Sequence, residues 1–144
     1  SESRGLGDVY KRQDQTSAAD IVLLSSPGGN DALQGLPYSQ AVININSIID
    51  KLQADNPNIT IIIEQMAPGH TDIMTDKLRY FFKKMQQEVL NMAANHTTSS
   101  SKVIAIDMFT GFNNSLLADN VHYNAAGAAF IANRYYNALV KIMK

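Results

Sequence analysis

The chain is predicted to fold as an α/β protein, a parallel sheet with helices on both faces in a three-layer α/β/α sandwich. Three observations lead there. Short apolar runs alternate three times with longer segments whose apolar residues recur every three or four positions. The runs are continuous and rich in Ile and Val, the pattern of strands in a parallel sheet with both faces covered. Turn-forming residues separate the segments at short spacing, and the 144 residues, 45% of them hydrophobic, suit one compact core.

The elements follow in order. Ile21-Val22-Leu23-Leu24 reads as a strand buried on both faces, broken by Ser25-Ser26-Pro27-Gly28-Gly29. Ala41, Val42, Ile45, Ile48, Ile49 and Leu52 recur at helical spacing and predict a helix over residues 38–54. Asp55-Asn56-Pro57-Asn58 ends it, because proline disfavours helical geometry in the residue before it. Residues 59–64 form the second strand, stopped by Pro68-Gly69. A long amphipathic helix over 72–94 carries Leu78, Phe82, Met85, Val89 and Met92 on one stripe, and His96 just beyond it reads as a surface residue. The polar loop 97–101 leads to a third strand, 103–106. A last helix, 125–142, turns Ala128, Ile131, Ala132, Tyr135 and Leu139 inward.

Composition narrows the functions. A formal net charge of −1 provides no basic field for nucleic acid or acidic membranes, so neither is expected as a partner. No apolar run approaches the roughly 20 residues that span a bilayer. The absence of cysteine excludes disulfides, thiolate catalysis and cysteine-ligated zinc, and leaves the redox compartment open.

If the strands are parallel, the residues that follow them share one edge of the sheet, where α/β proteins gather functional groups. Asn30 follows the first strand, His70 the second, and Asp119 with His122 the third. In Asp119-x-x-His122 the carboxylate is spaced to hold the imidazole by one nitrogen, leaving the other to accept a proton from a nucleophile. The plain alternative is an aspartate capping a turn beside an unremarkable histidine. Gly28-Gly29-Asn30-Asp31 offers a side-chain amide to a developing oxyanion on a backbone that substrate can approach closely. The same four residues also suit an ordinary turn. Asn124 is placed to cap the last helix, and Gly127 to allow close backbone packing. His70, in Pro68-Gly69-His70-Thr71-Asp72, is a candidate substrate contact or a solvated loop histidine. His70, Asp72 and His122 are metal ligands by type, but no tight spacing supports a metal site.

In this order and context the two segments resemble the last motif blocks of the SGNH (GDSL-type) esterase family. Its Gly-x-Asn-Asp block is matched by Gly28 to Asp31, and its Asp-x-x-His block by Asp119 and His122. Residues 106–112 and 119–127 are similar to the branch that deacetylates polysaccharides, and the resemblance covers residues 18–142. One departure is Tyr123, where proline or an equivalent often follows the histidine. The resemblance implies a flavodoxin-like fold and a serine esterase. In it His122 is general base, Asp119 its orienting carboxylate, Asn30 an oxyanion donor, and Gly28 and Gly29 the backbone lining. It implies no metal or organic cofactor, a small-molecule or polysaccharide ester as substrate, and secretion by family analogy.

The front of the chain departs from the family. Residues 3–13 resemble one reading frame of a transposase-type sequencing adapter. That reading makes 1–13 a non-native segment and 14–144 a partial domain lacking its first strand and helix. Gly7-Asp8-Val9 echoes the family's Gly-Asp-Ser, but valine has no nucleophilic oxygen. Ser17, Ser25 and Ser26 lack the Gly-Asp-Ser context, so the nucleophile stays unassigned. The fragment is expected to be poorly stable and inactive. The rival function is a non-catalytic α/β binding domain, or a degenerate esterase that holds carbohydrate. A nucleotide-binding protein is disfavoured because residues 31–37 separate the glycines from the next helix.

Overall fold

A computed structural model describes residues 20–143 of the chain. Residues 3–13, the Gly7-Asp8-Val9 echo and Ser17 lie outside it. Among the described residues three strands, β1 (Ile21–Leu24), β2 (Thr60–Gln65) and β3 (Val103–Asp107), form one sheet in the order β1-β2-β3. Both pairings are parallel, with Ile21 opposite Thr60 and Ile61 opposite Val103. Among the same residues, four α-helices, α1 (Gly29–Leu33), α2 (Tyr38–Asp55), α3 (Asp76–His96) and α4 (Ala125–Ile142), and a 3-10 turn (Asn114–Leu116) complete the elements. No helix among them is long and apolar enough to cross a membrane.

Strand alternation sorts side chains to two faces. Val22, Leu24, Ile61, Ile63 and Val103 pack with Ala41, Ile45 and Ile49 of α2 and Phe82, Met85 and Val89 of α3. Ile62 and Ile106 pack on the opposite face with Ile131 and, partly buried, Phe130, Tyr135 and Leu139 of α4. The result is the expected layering of helices, sheet and helix. With the parallel strands in sequential order, crossovers of one hand put α2 and α3 on the same side, as their shared packing shows.

Four expectations need correction. β1 is buried on one face only: Val22 and Leu24 are 6% and 2% exposed, whereas Ile21 and Leu23 are each 40% exposed. The reason is that α4 packs over β2 and β3 and does not extend across β1. On α4 Ile131, Tyr135 and Leu139 face inward as expected, but Ala128 and Ala132 are exposed, and Gly127, Phe130 and Ala138 take their place. α3 begins at Asp76 rather than 72, where the Thr75 hydroxyl accepts the Leu78 N–H at 3.2 Å and caps the helix. His96 is not a surface residue. Its imidazole is held between Asn46 Oδ1, 2.6 Å from Nε2, and Asp50, 3.4 Å from Nδ1, clamping α3 to α2.

Candidate active-site cleft

Each strand ends at the same edge and leaves it through a loop, and the three loops wall a cleft of about 470 Å³. Residues 24–31 supply one wall, Met66, Ala67, Pro68 and Gly69 the floor, and Val121, His122 and Tyr123 the far wall. Asn30 and His122, read from segments 92 residues apart in the chain, therefore face one cavity.

The first wall is a turn running into a helix rather than a plain turn. Ser26 and Gly28 adopt the left-handed region, with φ of 45° and 80°. At Gly28 that conformation calls for glycine, while the Met85 methyl, 2.9 Å from an added Cβ, is the end of a flexible side chain that can move aside. Gly29 then opens α1, closed by Ala32 N–H to Gly28 O at 2.9 Å, and places Asn30 in its first turn. Gly28 and Gly29 line the cleft with Asn30.

The far wall is a tight loop between the 3-10 turn Asn114–Leu116 and α4. Leu117 and Tyr123 form an antiparallel bridge, and Ala118 N–H donates to His122 O at 2.8 Å. At its tip Asp119 Oδ1 accepts the backbone N–H groups of Val121 and His122, at 2.8 and 2.7 Å. The same carboxylate accepts His122 Nδ1–H, at 2.9 Å from Oδ2 and 3.1 Å from Oδ1. These donors, the two backbone N–H groups foremost, hold the Asp119 carboxyl down at about 2. A carboxylate so held fixes the ring by Nδ1 and leaves Nε2 as the acceptor.

The loop is anchored from below. Asn124 Oδ1 accepts Gly127 N–H at 2.9 Å as the cap of α4, while its Nδ2 donates to Ser115 O at 2.8 Å. Gly127 is required by contact: a Cβ there would lie 2.1 Å from Leu116 O. His70 N–H donates to Asn120 O at 2.8 Å, and Asn114 bonds both the Thr71 N–H and its hydroxyl. Tyr123 stacks edge-on against Phe112, which does the same with Phe130 of α4.

His70 stands one residue beyond the cleft wall. Its ring Nδ1 accepts the Asp72 N–H at 3.1 Å, and its backbone N–H ties it to Asn120 of the far loop. Ser25 and Ser26 line the cleft, yet no hydrogen bond joins either hydroxyl to His122 among the described residues. Nor, among the described residues, do three or more His, Asp or Glu side chains gather as a metal would need.

Sequence reasoning passed over Glu64. It is 1% exposed inside β2, with Oε1 accepting Ser26 N–H at 3.0 Å and Oε2 accepting the Tyr135 hydroxyl. Burial pushes its carboxyl above the ordinary value, against the pull of those two donors. The available signal was a charge inside the apolar run Thr60-Ile61-Ile62-Ile63-Glu64.

Comparison with known proteins gives a consistent picture. The model of the GDSL-like lipase/acylhydrolase family matches residues 2–130. The crystal structure of a carbohydrate esterase family 3 protein from Talaromyces cellulolyticus superposes with a TM-score of 0.73 at 22% identity, covering 89% of this chain and 60% of that one. The crystal structure of an acetyl esterase mutant with acetate ion gives 0.76 at 21% identity, with the same 89% and 60% coverage. At these identities the likeness is one of fold, and the chain spans about 60% of the length of either structure. A search of curated proteins finds no match.

Proposed function

The chain belongs to the GDSL-like lipase/acylhydrolase family, and from that premise we propose that its cleft is the acid–base and oxyanion half of a serine-esterase site. In the intact protein a serine from outside the described residues attacks an ester carbonyl. His122 Nε2 takes the serine proton, and Asp119 steadies the imidazolium. Asn30 donates to the oxyanion of the tetrahedral intermediate, helped by backbone at Gly28 and Gly29. His122 returns the proton to the departing alcohol, and water releases the acid from the acyl-enzyme by the same route. No metal or organic cofactor enters the scheme. The substrate is a small acyl group, acetyl foremost, on a carbohydrate. The fold likeness to a carbohydrate esterase and an acetyl esterase supports that choice.

One observation carries the reading: Asn30 and an Asp119-held His122 line a single cleft. The test compares the 144-residue chain with a longer gene product bearing Gly-Asp-Ser ahead of Asp20, using an aryl acetate. The longer protein is expected to hydrolyse it. His122→Ala should abolish turnover and Asn30→Ala should lower it on the order of 10²–10³-fold, while the short chain stays at background. Hydrolysis by the longer protein that survives His122→Ala would overturn the assignment. Turnover by the short chain, lost on His122→Ala, would overturn its inactivity.

A further inference from the structure

Asn30 and His122 sit on different elements, and their separation must be held to a fraction of an ångström for one intermediate to meet both. One link between the two sides runs beneath the cleft. Ser26, four residues before Asn30, has its N–H fixed on Glu64 Oε1, and Tyr135, on the helix that His122 leads into, donates its hydroxyl to Glu64 Oε2. Ser26 is also the residue of this turn held at positive φ without being glycine. Such a conformation persists when surrounding bonds over-determine it. The carboxylate is thus shared between a strained turn and a helix, from a strand position with 1% exposure.

We propose that Glu64 is a positioning residue of the cleft, fixing the Ser26 turn, and through it Asn30, relative to α4 and the His122 loop. This rests on the hydrolytic reading for its purpose but not for its test. A buried carboxylate costs more than a buried amide or alkyl group, so its retention in an otherwise apolar strand is accounted for by two donors that need one acceptor each. A neutral hydrophobic residue would fill the space and leave both donors unpaired.

The test uses the isotope-labelled 144-residue chain and NMR, with no substrate. In Tyr135→Phe, which removes one hydroxyl from α4, the Ser26 amide and the Asn30 side-chain amide signals are expected to move although both lie on the other side of the sheet's edge. Glu64→Ala should in addition speed hydrogen exchange at Ser26 by about tenfold or more, as loss of a bond to a charged acceptor implies. Glu64→Gln, which keeps an acceptor for Ser26, should restore that protection. Ile62→Val, a core change on the same strand, should leave the Ser26 and Asn30 signals where they are. Unmoved Ser26 and Asn30 signals in Tyr135→Phe would overturn the proposal, and if Glu64→Ala does not fold, Tyr135→Phe and Glu64→Gln decide it. Acetate added to the unmodified chain reads the hydrolytic assignment separately. Failure of acetate to shift His122 or Asn30, with Tyr135→Phe still moving Asn30, would count against the function and leave the coupling standing.

Discussion

At the scale of single residues the site depends on short-range bonds, and these were the legible part. Asp119 and His122 are three apart, so one carboxylate can take two backbone N–H groups and the ring without help from distant chain. The larger causes of its low value are the backbone donors, with the His122 side chain next. Removing the ring by His122→Ala should therefore raise the Asp119 midpoint from about 2 while leaving it below 3.8, as read by carboxyl-carbon NMR titration. The sign for stability follows: what this group contributes is complete above its unfolded value and fades as pH falls toward 2. Asp119 thus stays ionised across neutral pH, and an acid-side loss of activity must come from another group. Gly127 is as local a case. Its substitution by alanine drives a Cβ into the Leu116 carbonyl, and backbone cannot yield as a side chain tip does. Gly127→Ala should cost about 2–3 kcal/mol in denaturant unfolding.

Elements were legible where period and punctuation agreed, and missed where they did not. The three strands, their parallel order and the long helices follow from apolar spacing, and the structure agrees within a few residues. α1 was not legible, because Gly29, Asn30 and Asp31 are poor helix formers whose turn signal outweighs five residues of helix. Glu64 was illegible as a tie, since its partners lie 38 and 71 positions away and only the fold brings them together. Its charge state gives the strand a pH signature. Burial raises the folded carboxyl above the unfolded value near 4.5, so the folded chain holds the proton more tightly. Stability then falls as pH rises through that value toward the folded one, the reverse of the Asp119 case. Urea midpoints measured from pH 4 upward should decline in the unmodified chain, and Glu64→Gln should flatten that decline. A parallel decline in both proteins would place the effect elsewhere.

Across the whole molecule the sheet is covered unequally, and a sequence pattern could not say so. A continuous apolar run reports that residues prefer burial, not that a partner is present on each side. β1 has α2 and α3 against Val22 and Leu24, while Ile21 and Leu23 are each 40% exposed on the α4 face, with Leu33 and Ile48 exposed near the cleft. β1 also pairs on one side only among the described residues, through β2. An apolar strand with one edge unpaired among the described residues and a half-covered face is a template for association between chains. The 144-residue chain should therefore self-associate in a concentration-dependent way, read by sedimentation velocity. Leu23→Thr introduces a β-branched strand former while removing apolar surface from the exposed face, so it should weaken association yet change unfolding free energy by no more than about 0.5 kcal/mol. Val22→Thr alters the neighbouring position, 6% exposed and packed against the core. It should cost well over 1 kcal/mol, since a hydroxyl there has no partner to meet. Equal costs at the two positions would mean that the two faces of β1 are equally covered in solution.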